Sequence, residues 1–386
     1  MTDNDHKQLK SRADDGWFER LCAWADKFDI PEAVLPRDKA ELLVLQKLLL
    51  FRKQFALLPA EIGQLGNLQE LVLFGGNLTE LPAEIGQLNN LQKLDLTGNQ
   101  LNTLPATIGQ LENLQKLLLC DNQLIILPVA IGQLGNLQEL DLWHNQLTAL
   151  PATIGQLGNL QVLNLRENKL TTLPAGIGQL GNLQELDLSD NQLTALPATI
   201  EQLGNLQELT IDGHLLLELV DMAPHLPKLK SLRLIKLTTL SAAIGQLGNL
   251  QELDLSGNKL TTLPAKIGQL IKLQILNLSK NQLTALPAEI GQLGNLQKLD
   301  LSGNKLTTLP DTIGQLDNLQ ELDLSGNKLT TLPESMDQLR NLQIINLRDN
   351  MLSYYLDFLP NSIQRLYHKR NGALEIWLND PVAEVR

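Results

Sequence analysis

Leucine and polar residues alternate in a short stretch that is copied along most of the chain with a period of 23 residues. One clean copy runs from Leu250 to Lys272 and reads LQELDLSGNKLTTLPAKIGQLIK. Units begin at Leu45, Leu68, Leu91, Leu114, Leu137, Leu160, Leu183, Leu206, Leu229, Leu250, Leu273, Leu296, Leu319 and Leu342, and a shortened unit is expected from Ile363. The LxL part of each LxxLxLxxNxL half has the period of two that buries one face of a short strand and leaves the other open. An Asn follows where the chain turns: Asn99, Asn122, Asn145, Asn168, Asn191, Asn258, Asn281, Asn304, Asn327 and Asn350. Buried there, its amide is expected to bond backbone groups of neighbouring turns as a continuous ladder. A Pro six residues on, as in Pro105, Pro151 and Pro174, lacks an N–H and discourages a return to strand pairing. The IGQL stretch then brings the chain back along the opposite face. Apolar side chains are buried only against adjacent units, so no unit is expected to be stable alone.

Both ends depart from the copy. Residues 11–28 place Trp17, Leu21, Trp24 and Phe28 at helical spacing, and Asp38 can cap a second helix running into AELLVL. The expected organisation is a helical N-terminal cap over 1–44, about 14 repeats over 45–352, and a C-terminal cap over 353–386. That last segment holds Tyr354, Tyr355, Phe358, Tyr367 and Trp377; with four more at the N-terminus, nine of the thirteen aromatics lie at the ends, which supports capping over ligand binding there. Two consecutive units in the middle also break the rules. Residues 206–228 have His214 for the Asn and Val220 for the Pro, while 229–249 are two residues shorter, lack the Asn and have Ser241 for the Pro. Two readings stay open: drift in a tolerant repeat, or a local kink that presents LLLELVDMAPHL for docking.

With these motifs the chain resembles the leucine-rich-repeat superfamily, in its 23-residue LPxxIGxLxxLxxLxLxxNxL type, over roughly residues 45–352. Bacterial repeat proteins, the Ras-group and Ras-scaffold repeat proteins of plants and animals, and the repeat part of Roc-COR proteins share that pattern. The resemblance implies an α/β solenoid, a horseshoe with a parallel β-sheet on the concave face, short irregular or 3-10 segments on the convex face, and a protein-binding role.

Composition narrows the partner. A net charge of −12 argues against nucleic acid or an anionic membrane and leaves basic or apolar protein surfaces. The two cysteines, Cys22 and Cys120, fall in different turns, beyond the roughly 7 Å Cα separation of a disulfide. With no clustered cysteines at the ends, no apolar leader and no run approaching roughly 18 apolar residues, a cytoplasmic setting without a membrane span is expected.

The open strand positions nearest the N-terminus hold Leu49 and Phe51, Val72 and Phe74, Leu118 and Cys120, then Trp143 and His144. Phe55 replaces a core Leu. Exposed aromatics in a chain with 3% of them suggest an interface hot spot, unless the N-terminal cap folds over Phe51 and Phe74. Further along, Glu139 with Asp141, Glu185 with Asp187, Glu252 with Asp254, and Glu321 with Asp323 make the same face acidic, and Asp95, Asp212 and Asp300 add to it. Carboxylates on adjacent strands would repel, and a cationic partner would relieve them; duplication of a soluble consensus explains them equally well. The candidate partner-binding residues are Phe51, Val72, Phe74, Leu118, Trp143, His144, Asp141, Arg166, Asp187, Asp254 and Asp323.

Catalytic chemistry has little to stand on. The five histidines are scattered, no Cys/His group has zinc spacing, and no GxxxxGK[ST] phosphate loop is present. Cys120 lies inside a repeat, and residues 353–386 are too few for a ubiquitin-ligase catalytic domain. No cofactor, metal or enzymatic activity is expected. The leading expectation is a cytoplasmic protein-interaction module. The alternative is a bacterial effector without a recognisable signal peptide, reaching a host protein of the small-GTPase or ubiquitin pathway through the same face. A small-GTPase partner follows from resemblance alone.

Overall fold

Each repeat builds two elements, a short strand from its LxL part and a 3-10 turn from its IGQ part. They are seen in a computed structural model that describes residues 16–352, 359–370 and 373–378, with side chains as far as Tyr367. Residues 11–15 of the expected first helix, Tyr354, Tyr355 and Phe358, and the side chain of Trp377 lie outside the described residues. The chain divides into two units, Met1–Leu203 and Gly204–Arg386.

In the first unit, β1 (Lys47–Phe51), β2 (Glu70–Phe74), β3 (Lys93–Asp95), β4 (Lys116–Leu118), β5 (Glu139–Asp141), β6 (Val162–Asn164) and β7 (Glu185–Asp187) pair in parallel and in chain order. The register steps by one repeat, Leu117 opposite Leu140 and Leu140 opposite Leu163. Every such leucine is buried. Prolines open the 3-10 turns: Pro151, at φ −66° and ψ 145°, precedes the turn Ala152–Gln156. Its fixed φ suits that extended position, and its missing N–H would have had no partner there. The glycine inside each turn has a steric reason. A Cβ on Gly109 would lie 2.5 Å from the Ala130 carbonyl oxygen and 2.5 Å from Gln133 Oε1, because successive turns stack backbone on backbone. Glu201 and Asp337 occupy the same place in the last described 3-10 turn of each unit, where no further 3-10 turn of that unit follows.

The asparagine ladder forms as expected. Asn168 Nδ2 donates to the Leu142 carbonyl (2.9 Å) and the Leu165 carbonyl (3.0 Å), while its Oδ1 accepts the Leu147 N–H (3.0 Å). Asn99 to Asn191 repeat this in the first unit and Asn258 to Asn350 in the second. These amides bond backbone groups that the turns would otherwise bury unpaired.

Ahead of β1, α1 (residues 16–27) buries Trp17, Leu21 and Ala25, and α2 (Lys39–Leu43) is capped by Asp38, which accepts the Ala40 and Glu41 N–H groups. Trp24 and Phe28 close on Phe55, with ring centroids 4.9 and 5.6 Å away. The end of α1 and the Phe28 that follows it therefore pack on Phe55, while Phe51 and Phe74 stay exposed.

The second unit carries β8 (Glu208–Asp212), β9 (Ser231–Ile235), β10 (Glu252–Asp254), β11 (Ile275–Asn277), β12 (Lys298–Asp300), β13 (Glu321–Asp323), β14 (Ile344–Asn346) and β15 (Arg365–Arg370), all parallel. β16 (Ala373–Leu378) returns antiparallel to β15. Ile363 is buried as the first apolar residue of a shortened unit. The irregular repeats contain an α-helix, α3 (Leu216–Met222), between two short 3-10 turns, Gly213–Leu215 and Ala223–His225. Leu216, Leu219 and Val220 recur at helical spacing and are buried, and with no Pro to open a 3-10 turn this stretch winds into regular helix. In the next repeat Ser241 stands where Pro stands elsewhere, and its Oγ accepts the Ala243 N–H at 3.2 Å, so the turn survives.

Candidate interaction face on the strands

Each strand offers three outward positions, one before, one between and one after its two buried leucines. In the first unit the last of these rows holds Phe51, 58% exposed, directly opposite Phe74, 38% exposed. Trp143 lies in the same row three strands on, about 14 Å away at ~4.8 Å per strand, and is also 38% exposed. Its ring is 5.9 Å from His144, which takes a left-handed φ of 54° and sets Nδ1 2.7 Å from Asp121 Oδ1. Leu118 is half-buried. Arg166 is held between Glu167 (3.0 Å) and Asp190 (3.3 Å).

Two positions read as open are closed. Val72 is 5% exposed, because its short side chain sits in register between Leu49 and Asp95, with Glu70 and Phe74 on its own strand. Cys120 is buried for the same reason, a small residue against Asp141 and Thr97.

The aspartates have a local role that the sequence reading did not contain. Asp141 accepts the Trp143 N–H (3.0 Å), Asp187 the Ser189 N–H (2.9 Å), Asp254 the Ser256 N–H (2.8 Å) and Asp323 the Ser325 N–H (2.8 Å). Each carboxylate thereby closes the turn after its strand. The expected repulsion between adjacent strands is absent from the described pairs of the first unit. Asp141 lies between Leu118 and Asn164, Glu139 pairs with Lys116 (2.6 Å), and Glu70 sits between Lys47 (3.1 Å) and Lys93 (3.2 Å). Hydrogen bonds from Lys47 and Lys93 hold the Glu70 carboxyl below the usual range. In the second unit Asp254 meets Arg233 (3.5 Å), and Asp212 is buried with Lys236 at 3.0 Å rather than adding to an open acidic face. Among the described register pairs within each unit, Asp300 opposite Asp323 is where two acids meet.

Family models decide what the repeat is. One described as a leucine-rich repeat region matches residues 60–148, 117–209 and 153–253, and one described as a leucine rich repeat matches 248–306 and 294–352. The chain belongs to the leucine-rich-repeat proteins. A comparison with curated proteins gave no match. Among solved structures it is similar to a leucine-rich-repeat protein of Leptospira interrogans, 41% identical over 82% of this chain and 94% of that one, with a TM-score of 0.57. It is also similar to YopM from Yersinia enterocolitica (28% identity, 91% and 77% coverage, TM-score 0.52). A third is the plant peptide hormone receptor RGFR1, solved in complex with RGF2 (29%, 84% and 62%, 0.52). The leucine-rich-repeat fold commonly mediates protein–protein interaction, through the extended surface that stacked repeats create.

For this leucine-rich-repeat chain the catalytic use of Cys120 is disfavoured by its surroundings. Burial, with a hydrogen bond to Asp141 beside it, pushes the thiol well above the usual range, whereas nucleophilic cysteines are thiolates in exposed, electropositive sites. Iodoacetamide at pH 8 is expected to label Cys120 far more slowly in the folded protein than in urea, as mass spectrometry of digests would show. Equal rates would mean an accessible thiolate. No group of three or more His, Cys, Asp and Glu among the described residues could hold a metal, and no helix among them is long and apolar enough to cross a membrane.

Other exposed apolar side chains escaped the strand-based reading. Ile125, Ile126 and Val129 are exposed beyond β4, where the neighbouring units carry Thr148, Ala149 and Ala152. The signal was present as a departure from the copy, but outside the strand positions. Ile275 and Ile344, which flank a cleft in the second unit, do lie on strands, at the first outward position of β11 and β14, where most other copies carry Glu or Lys.

Proposed function

We propose that the chain binds another protein across the strand face of its first unit, anchored by Phe51, Phe74 and Trp143. The observation that carries this is the exposure of all three rings in one row of a face whose core is otherwise closed. Partly exposed aromatics that can be fully buried on association are the residues that dominate binding energy. The charges beside them are largely spent on one another in the Lys47–Glu70–Lys93 and Lys116–Glu139 pairs. An apolar partner surface with a polar rim therefore fits this face better than a strongly basic one. His144 with Asp121, and Arg166 with its two carboxylates, form that rim on this side. The setting proposed is cytoplasmic, and the role that of a non-catalytic interaction module.

Phe74→Ala combined with Trp143→Ala is expected to weaken the partner by about 100-fold or more, since hot-spot truncations cost roughly 2 kcal/mol each. The partner is recovered by quantitative pull-down from native lysate and its affinity measured against both proteins. The exposed rings contribute little to folding, so the melting temperature of the variant should stay close to that of the parent. An unchanged set of captured proteins at unchanged affinity would remove this site.

A further inference from the structure

A cleft of about 480 Å³ opens on the strand face of the second unit over β11 to β14, within the ~300–1,000 Å³ range of ligand sites. Small side chains border it on one side. The outer row that holds Phe51, Phe74 and Trp143 in the first unit holds Ser279, Ser302 and Ser325 here, and the next residue along it, Arg348, stands as an end wall with its guanidinium 5.4 Å from the Tyr367 ring centroid. On the opposite side Ile275, 36% exposed, and Ile344 bracket the Lys298–Glu321 ion pair (2.8 Å). The floor between these rows is polar, formed by Asn277, Asp300, Asp323 and Asn346.

The charges in this cleft do not cancel. Lys298 is held by Glu321, and Arg348 is occupied by Tyr367 and Asn346 Oδ1 (2.9 Å). Asp323 receives the Ser325 N–H and hydroxyl and the Asn346 amide (2.8 Å). Asp300 receives the Ser302 N–H (2.8 Å) and otherwise faces Asp323 across the strand pair. Like charges opposite each other are unfavourable, and a cation over Asp300 would relieve them.

The geometry points to a binding subsite for an extended peptide segment of the pattern apolar–x–basic–x–apolar. Ile275 on β11 and Ile344 on β14 are three strands apart, about 14 Å at ~4.8 Å per strand, and an extended chain carries residue i to i+4 over about 13 Å. The two apolar side chains then rest on the two isoleucines. The intervening Lys or Arg, at i+2, comes over β12 and β13 beside the Lys298–Glu321 pair, and its long side chain extends along the strands toward Asp300 and Asp323, two residues further on. This subsite is in the second unit and does not depend on the aromatic row of the first.

The probe is acetyl-Val-Ser-Arg-Ser-Val-amide, titrated into the full chain carrying methyl-labelled isoleucine and followed by NMR. Saturable shifts are expected at Ile275 and Ile344, and the Glu-for-Arg peptide should not produce them. Asp300→Asn should weaken binding by about tenfold or more, in line with the strength of hydrogen bonds to charged groups. That variant keeps its turn, because Asn277 already accepts the Ser279 N–H (3.0 Å) in the equivalent place. Phe74→Ala with Trp143→Ala should leave the titration unchanged. Absence of shifts at the two isoleucines, equal response to the Glu peptide, or undiminished binding by Asp300→Asn would each overturn the assignment.

Discussion

Asn168→Ala is expected to destabilise the first unit by about 1–3 kcal/mol, the cost of a buried polar group left without a partner. The Leu147 N–H loses its partner outright, and the Leu142 and Leu165 carbonyls each lose one of two amide donors, keeping those of Asn145 (3.1 Å) and Asn191 (2.9 Å). The rung lies mid-ladder, so the damage falls on repeats at both sides, and in a solenoid the interfaces between neighbours supply most of the stability. Asn159→Ala is the matched control. Asn159 also donates to a backbone carbonyl of the previous repeat, Gly135 at 2.7 Å, but it does so at the exposed surface, where water replaces it. Its loss should stay within about 0.5 kcal/mol, as for ordinary surface substitutions. Urea unfolding followed by circular dichroism separates the two. Equal effects of the two substitutions would contradict the ladder's role.

Gly109→Ala is expected to cost about 3 kcal/mol, at the upper end of ordinary overpacking. The added methyl meets the Ala130 carbonyl oxygen and Gln133 Oε1 at 2.5 Å, and a carbonyl in a stacked 3-10 turn moves only if the turn moves. Gly158→Ala has the opposite expectation. Nothing lies within 4 Å of a Cβ there, so loss of unfolded-state freedom should stabilise by about 0.4–1 kcal/mol. Both glycines are copies of the repeat and differ by a few positions in its phase. Thermal unfolding of the two variants gives the answer, and a loss of stability at Gly158 with none at Gly109 would refute the stacking argument.

Much of the architecture could be read before any coordinates. The period, the LxL alternation, the ladder of Asn99 to Asn350 and the Asp38 cap are each local patterns with one physical solution. The irregular repeats were legible as irregular, yet both a kink and simple drift stayed open. Leu216, Leu219 and Val220 stand at helical spacing in the sequence, but that the stretch is buried as an α-helix is seen only in the second unit's packing.

The candidate faces divide in the same way. Phe51, Phe74 and Trp143 could be assigned to an open row because a period of two belongs to a single strand. Whether an open position stays reachable depends on side chains one repeat away. Packing closed Val72 and Cys120 and interleaved Asp141 with Leu118 and Asn164, which removed a repulsion that composition alone suggested. It also brought Asp300 against Asp323, between two isoleucines three strands apart. A segment's own pattern settles which way its side chains point, because that is a property of its backbone. What they meet there is set by residues distant in the chain, and only the tertiary structure brings those together.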